Sequence, residues 1–199
     1  MFGFFKKKTE SPKGLLGIDL GLPSGLKWGS CNVGAEMAHE FGTYFAWGET
    51  VAKQSYSKEN SSCSGMLPSD MNSKGILDAD GNLSSKYDAA SQICGKEWRL
   101  PTLADVKELI ENCVWKWTSV QNVQGYLVRS KVNSNSIFLP AAGYCHDSSV
   151  DFAGDDGGYW SSTPGPDADR SNSLDFLSVN RSVFLSNRYN GRTIRPVCR

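Results

Sequence analysis

This chain lacks an excess of charge of either sign: its 199 residues carry 21 basic and 21 acidic side chains, a formal net charge of zero. That balance removes the broad electrostatic footprint expected of a nucleic-acid binder or of a protein drawn to anionic membrane, leaving room only for a local basic patch. Long apolar runs are missing too, so no transmembrane segment is expected. The start, "MFGFFKKKTESPKG", places its positive charge after a very short apolar run, the reverse of a secretory signal. Residues 1 to 13 therefore read as a flexible tail or docking peptide, and an intracellular or virion-associated setting is favoured over the cell surface. Histidine is scarce: His39 and His146 alone limit acid–base chemistry, and no G-x-S-x-G elbow or other nucleophile motif is present.

The six cysteines, Cys31, Cys63, Cys94, Cys113, Cys145 and Cys198, include no C-x-x-C pair of the kind used for zinc or redox work. Their spacing chooses none of the possible disulfide pairings, and reduced, mostly buried thiols are the favoured reading. Two apparent ligand motifs also fail on their own chemistry. "GSCNVGAE" has glycines at Walker A spacing, but Ala35 and Glu36 stand where a lysine and a hydroxyl must meet phosphate and magnesium. "DADGNLSSKYDA" sets Asp78, Asp80 and Asn82 at EF-hand spacing, but Leu83 replaces the turn glycine and Ala89 the closing glutamate. The acids and histidine of "CHDSSVDFAGDDGG" (His146, Asp147, Asp151, Asp155, Asp156) read as a solvated acidic loop before they read as a cation site. No cofactor or metal is expected.

What is present is a run of short alternating segments with two helices before most of them. Ile18, Leu20 and Leu22 alternate around small and polar residues, and Leu26 and Trp28 follow, predicting a strand pair. Residues 55 to 85 are rich in Ser, Asn, Asp and Gly and predict a long loop with at most a hairpin at "DADGN". "SSKYDAASQICG" predicts a helix capped by Ser84 or Ser85 and stopped at Gly95. "TLADVKELIENC" predicts a second, with Thr102 as N-cap, Asp105 at N3, and Leu103, Val106, Leu109 and Ile110 on one face. Then come "CVWKWTSV", "GYLVRSK", "SIFLPAAGY", "GGYWSST", "NSLDFLSV", "NRSVFLS" and "RTIRPV" as strands, so the fold class is α+β.

Several of these stretches, taken in order, carry a resemblance. "IDLGLPSGLKWGSCNVGAE", "GTYFAWGET", "KYDAASQICGKEWRLPTLADVKELIENCVWKW", "NSIFLPAAGY", "GGYWSST" and "NRYNGRTIRPV" together resemble the FISUMP-type (Fibrobacter succinogenes major paralogous) domains over roughly residues 17 to 197. The resemblance implies a C-type-lectin-like fold related to the formylglycine-generating enzyme, with two helices flanking small antiparallel sheets and the C-terminal strands carrying the binding face. It implies one such domain over residues 14 to 199. The Glu-Pro-Asn and Trp-Asn-Asp signatures of calcium-dependent sugar-binding lectins are absent, which speaks against calcium-bridged sugar recognition. Formylglycine-generating chemistry would need a reactive cysteine pair, for which Cys145 and Cys198 are the candidates, and a basic partner to lower a thiol pKa.

One branch of that fold comprises the variable proteins of diversity-generating retroelements, whose 3′ gene ends are rewritten with errors at template adenines. The end of this chain is similar to such a variable region, the candidate segment being residues 161 to 197. Randomising the adenines of Asn codons yields Asn, Ser, Asp, Gly, Arg, Tyr, Phe and Leu among others, but never Lys, Glu, Gln, Met or Trp. Residues 161 to 199 contain none of those last types, and every basic residue after Lys131 is an arginine, apart from the single His146. Strands and turns disfavour Lys and Glu in any case.

The function expected is therefore a non-enzymatic, receptor- or adhesin-type ligand-binding protein that displays a diversified face. A fixed FISUMP-type adhesin or interaction module is the alternative, and an enzyme of the formylglycine-generating kind a more distant one. If Leu174, Phe176 and Val183 point inward, alternation turns Ser173, Asp175, Leu177, Ser182, Phe184 and Ser186 outward. The candidate ligand-binding set is these six with Asp167, Asp169, Arg170, Ser171, Leu185, Tyr189, Asn190 and Arg192. Arg170, Arg188 and Arg192 are expected to offer bidentate contacts to carboxylates on a partner. Ile194, Arg195, Pro196 and Val197 are assigned to the scaffold. Mixed aromatic, aliphatic and polar groups on one face suit a macromolecular ligand, protein first and carbohydrate second, rather than nucleic acid.

Overall fold

The structure, a computed structural model, describes residues 14–199, so the tail read at residues 1 to 13 lies outside the described residues. It is a mixed α+β architecture with few helices and four small antiparallel sheets. The expected entry pair forms as β1 (Gly17–Asp19) and β2 (Lys27–Gly29), with Ile18 opposite Trp28. Leu20, Leu22, Leu26 and Trp28 are buried around it. The chain returns to this sheet at its end, where β11 (Val197–Cys198) pairs with β2. "RTIRPV" is thus a two-residue strand preceded by extended chain, because Pro196 has no N–H to give a ladder.

Three helices follow, where two were expected. α1 (Pro68–Ser73) falls inside the stretch read as loop; Pro68 starts it and Met71 is its one buried residue, so it offers no helical periodicity to read. The "DADGN" hairpin is present as a bridge between Leu77 and Leu83. α2 (Ala89–Cys94) begins later than Ser84 or Ser85: its N-cap is Asp88, whose carboxylate accepts from Ser91 N at 2.9 Å and Leu100 N at 2.8 Å. Ser84 is spent on the preceding hairpin, donating its hydroxyl to Gly75 O. α3 (Leu103–Asn112) has the expected capping box between Thr102 and Asp105. Its Val106 and Leu109 are fully buried, each contributing about 1.5–3 kcal/mol of apolar burial, and the partly buried Ile110 packs beside them.

The strands then fold as two three-stranded meanders. One has the order β3 (Cys113–Val120), β4 (Val123–Ser130), β5 (Ser136–Pro140). Its first hairpin turns on Gln121 and Asn122, both at positive φ as a two-residue primed turn requires. The other has the order β10 (Asn180–Asn187), β9 (Arg170–Leu177), β8 (Asp156–Pro164). Between them lies a small hairpin, β6 (Tyr144–His146) with β7 (Ser149–Asp151), inside the stretch expected to be an acidic loop.

β8 is the strand that joins the two hydrophobic clusters. It is buried on both faces, with Tyr159 in a cluster shared with α3, β4, β5 and β9 and Trp160 in a second formed with Trp47, Trp98 and α2. Its neighbouring polar atoms are matched: Tyr159 O–H donates to Pro140 O at 2.7 Å, and Trp160 Nε1 donates to Phe45 O at 2.8 Å. The segments "WRLPT", "FLPAAGY" and "YWSS" all lie in or against these clusters, with Trp98, Leu100, Phe138, Leu139, Ala141 and Ala142 buried. No helix among the described residues is long and apolar enough to cross a membrane. All six cysteines are free thiols; five are buried and Cys198 is partly so.

Candidate functional site

The alternation read from β9 and β10 puts Leu174 and Phe176 into the core and Val183 against it, as expected. On the other side the sheet forms one wall of a groove of about 460 Å³. Asp175, Leu177, Ser182, Phe184, Leu185, Ser186, Asn190 and Arg192 line it, so a large part of the expected set converges there. Phe184 is 59% exposed and Leu177 45%, so the groove lining includes two exposed large apolar side chains. Leu185 has the opposite parity to Phe184 on β10 and its Cδ2 lies against Gly165, which is not part of the groove, so strand parity alone does not explain its place in the lining.

Elsewhere the expectation is corrected. Ser171, Ser173, Ser186, Asn190 and Arg192 are buried, not open to solvent. Ser171 Oγ accepts from Arg188 Nε at 2.9 Å. Ser173 Oγ donates to Asp175 Oδ1 at 2.6 Å and pairs with Ser186 Oγ at 2.9 Å. Short hydroxyls between strands bury themselves by satisfying each other, a choice that period-2 alternation cannot see.

Arg188 is the largest departure. Expected to reach a partner, it is wholly buried, stacks 5.1 Å from the Trp47 ring and spends its donors on Cys63 O, Met66 O, Ala168 O, Asp167 O and Ser171. It clamps residues 63–66 and the 167–168 turn onto the end of β10. Arg195 is its counterpart in the scaffold, donating to Asn32 Oδ1, Gly29 O and Phe138 O. Burial pulls the pKa of both guanidiniums down, and they stay charged because an arginine starts so high.

Asp167, Asp169 and Arg170 are not on the groove. Asp167 accepts from Arg170 Nε at 2.7 Å, and Asp169 pairs with Lys58 Nζ at 2.9 Å and accepts from Gly65 N. The Lys58 hydrogen bond holds the Asp169 carboxyl below the usual range. Tyr189 also stands apart: its hydroxyl accepts from Asn187 Nδ2 and its ring centroid lies 6.2 Å from that of His146.

Tyr144, Asp156, Asn180 and Asn187, with an edge of the core residue Phe176, complete the groove and were not expected in it. Tyr144 belongs to a segment read as a strand, and Asp156 to a segment read as solvated loop. The signal that could have found Asp156 is the glycine pair that follows it. A Cβ at Gly157 would collide with the Phe176 ring, and one at Gly158 with Arg192 Nη1, so the two glycines hollow out β8 beside the groove.

The floor is electrostatic. Arg192 is held by paired backbone hydrogen bonds with Phe45, each 2.9 Å, and its guanidinium lies 5.4 Å from both the Tyr144 and the Trp160 rings. Nη1 donates to Asp175 Oδ1 at 2.8 Å. Burial, then repulsion from Asp175, pushes the Asp156 carboxyl up to about 6, with Arg192 opposing. Asp156 Oδ1, Asn190 Oδ1 and Arg192 Nε are buried without a hydrogen-bond partner.

The described residues bring together no group of three or more His, Cys, Asp or Glu side chains able to hold a metal ion. Burial raises the thiol pKa of Cys145 to about 11 and also raises that of Cys198. Compared with protein-family models, with curated proteins and with solved structures, the chain finds no match.

Proposed function

We propose that this protein is a non-enzymatic, receptor- or adhesin-type binder, a C-type-lectin-like scaffold whose C-terminal face is diversified by a retroelement. The observation that carries the reading is a coincidence of two independent patterns. The groove walls between Asp175 and Arg192 come from the segment that contains no Lys, Glu, Gln, Met or Trp. Asn180, Asn187 and Asn190 line the same groove, and every Asn codon holds the two adenines on which such rewriting acts. Side chains on that wall sit on a sheet whose other face is anchored by Leu174, Phe176 and Val183, so exchange there costs little stability.

The thiols support a role in binding over one in catalysis: a cysteine whose pKa is raised by burial is a poor nucleophile at neutral pH. Sequencing the DNA beside the gene tests the reading. A reverse transcriptase with a near-repeat of the 3′ end that differs at adenines is the expected result; absence of both sinks it. The fixed FISUMP-type module remains the second reading, because Ser171, Ser173, Arg188 and Arg195 tie much of the same segment into the fold. Invariance of residues 167 to 192 among sister strains would select it.

A further inference from the structure

Whatever binds at this face must satisfy the floor of the groove, and the floor has a definite chemistry. Two carboxylates, Asp156 and Asp175, face one guanidinium, Arg192, so the site carries negative charge in excess. Asp175 is committed to Arg192 and Ser173, whereas Asp156 has no donor to its buried oxygen. Asn190, itself nine-tenths buried, adds a second acceptor without a partner, Oδ1, at the same place. Around this acidic centre Phe184 and Leu177 form an apolar rim. The unpartnered buried atoms of the floor are two acceptors, Asp156 Oδ1 and Asn190 Oδ1, against one donor, Arg192 Nε. A rim that shelters methylenes above a floor with acceptors and negative charge in excess is complementary to a long side chain with a cationic tip.

Resting on the reading of this face as a binding surface, we propose that the groove is a pocket for a lysine or arginine side chain of a protein partner, with Asp156 as its carboxylate partner. The stem lies along Phe184 and Leu177, and the head donates to Asp156 and to Asn190 Oδ1 in a partly desolvated site, where a charge-assisted hydrogen bond is strongest. Arg192 keeps Asp175 occupied and so leaves Asp156 as the open acceptor. Asp175 also offsets the guanidinium charge, so an anion entering the groove would meet two carboxylates against one cation.

The Asp156 carboxyl titrates near 6, so the site is charged at pH 7.5 and about nine-tenths neutral at pH 5. Asp175 from β9, Arg192 from the C-terminal segment, Tyr144 from β6 and Asp155 next in the chain are the titratable or charged groups around it; His146 lies farther along β6. Cation binding therefore weakens as pH falls.

The experiment is a titration of the ¹⁵N-labelled full chain with n-pentylammonium, pentanoate and 1-pentanol, read at the amides of Gly157, Gly158 and residues 180–186. Saturable shifts with n-pentylammonium, at least about tenfold tighter than with pentanoate or 1-pentanol, are expected at pH 7.5. Binding should weaken about tenfold at pH 5. The pH series is repeated on His146→Gln to remove the one histidine of the hairpin, and needs no groove variant. Asp156→Asn, which keeps the shape, should lose about tenfold in affinity at pH 7.5, while Asp147→Asn on the hairpin should not change it. Tighter binding of pentanoate, equal binding of 1-pentanol, no saturable shift with any probe, or an unaffected Asp156→Asn overturns the proposal. None of these outcomes depends on whether a retroelement adjoins the gene, and finding no retroelement would leave the cation preference standing.

Discussion

The two meanders of this protein share strand number, antiparallel order and one hydrophobic cluster, yet their outer faces differ. Phe176 of one sheet meets Tyr126 and Trp117 of the other edge-to-face, with centroids 5.2 Å and 6.3 Å away. On the outer side of the β3–β4–β5 sheet, Val114 stands opposite Arg129 and Lys116 opposite Leu127, an ordinary solvated surface without an acid in any of its strands. The β10–β9–β8 sheet carries Ser, Asn and Asp beside exposed Phe184 and Leu177, around a charged hollow. The difference shows that a shared core leaves the free face undetermined. One sheet's free face is evenly solvated, while the other's holds buried polar atoms without a partner.

Replacing the buried arginine of the second sheet should break the comparison most severely. Arg188→Met strands four carbonyl oxygens and is expected to cost about 3–5 kcal/mol in urea unfolding. Arg129→Met, on the exposed face of the first sheet, should stay within about 0.5 kcal/mol. If the two cost the same, the second face is less built than its hydrogen bonds indicate.

Gly158→Ala comes next. Its Cβ must push Arg192 out of place, at a cost of about 1–3 kcal/mol, and the Asp175 pairing should go with it. Thermal unfolding checks the cost. Gly125→Ala, whose Cβ would strike the Leu139 carbonyl in the other meander, should be at least as costly yet leave the groove amides unshifted in an NMR spectrum.

A smaller effect follows from pH. The Asp156 carboxyl is pushed up to about 6 in the folded chain, so the folded state binds its proton more tightly than the unfolded state does. This group's contribution to stability therefore falls as pH rises from about 4 to about 6, and its full penalty is present above that. Asp156→Asn should stabilise the protein at pH 7.5 by on the order of 1 kcal/mol, a figure reduced for solvent screening of a half-exposed group, and should flatten this part of the stability–pH curve. No equivalent substitution exists in the first meander, which has no acid to replace. Smallest of all, Ser182→Lys on the open wall should change stability by less than about 0.5 kcal/mol while abolishing the cation preference of the groove.

Much of this arrangement was legible before folding. The capping box at Thr102 and Asp105, the helical stripe of α3, and the alternation of Leu174 with Phe176 are local patterns, and each stands where its period put it. α1 was hidden because a single buried Met71 makes no period, and the start of α2 shifted because Ser84 was already hydrogen-bonded to the hairpin before it. The candidate site was half legible. Ser182, Phe184, Asp175 and Leu177 follow from strand parity, but nothing local marks Tyr144 as their neighbour, and Asp156 is marked only by the glycine pair that follows it.

The sequence by itself determined the longer, periodic elements, which face of the C-terminal strands enters the core, and a C-terminal segment restricted in residue type. Those features depend on neighbours within a turn or two, where propensity, capping and side-chain period act. The tertiary structure alone decided that Arg188 is a buried clamp while Arg192, four residues later, lies on a ligand-sized hollow. Both guanidiniums are buried; what each one's donors meet depends on which distant backbone comes to cover it. Residues 63–66 and 167–168 close over Arg188, whereas above Arg192 no segment among the described residues fills the groove.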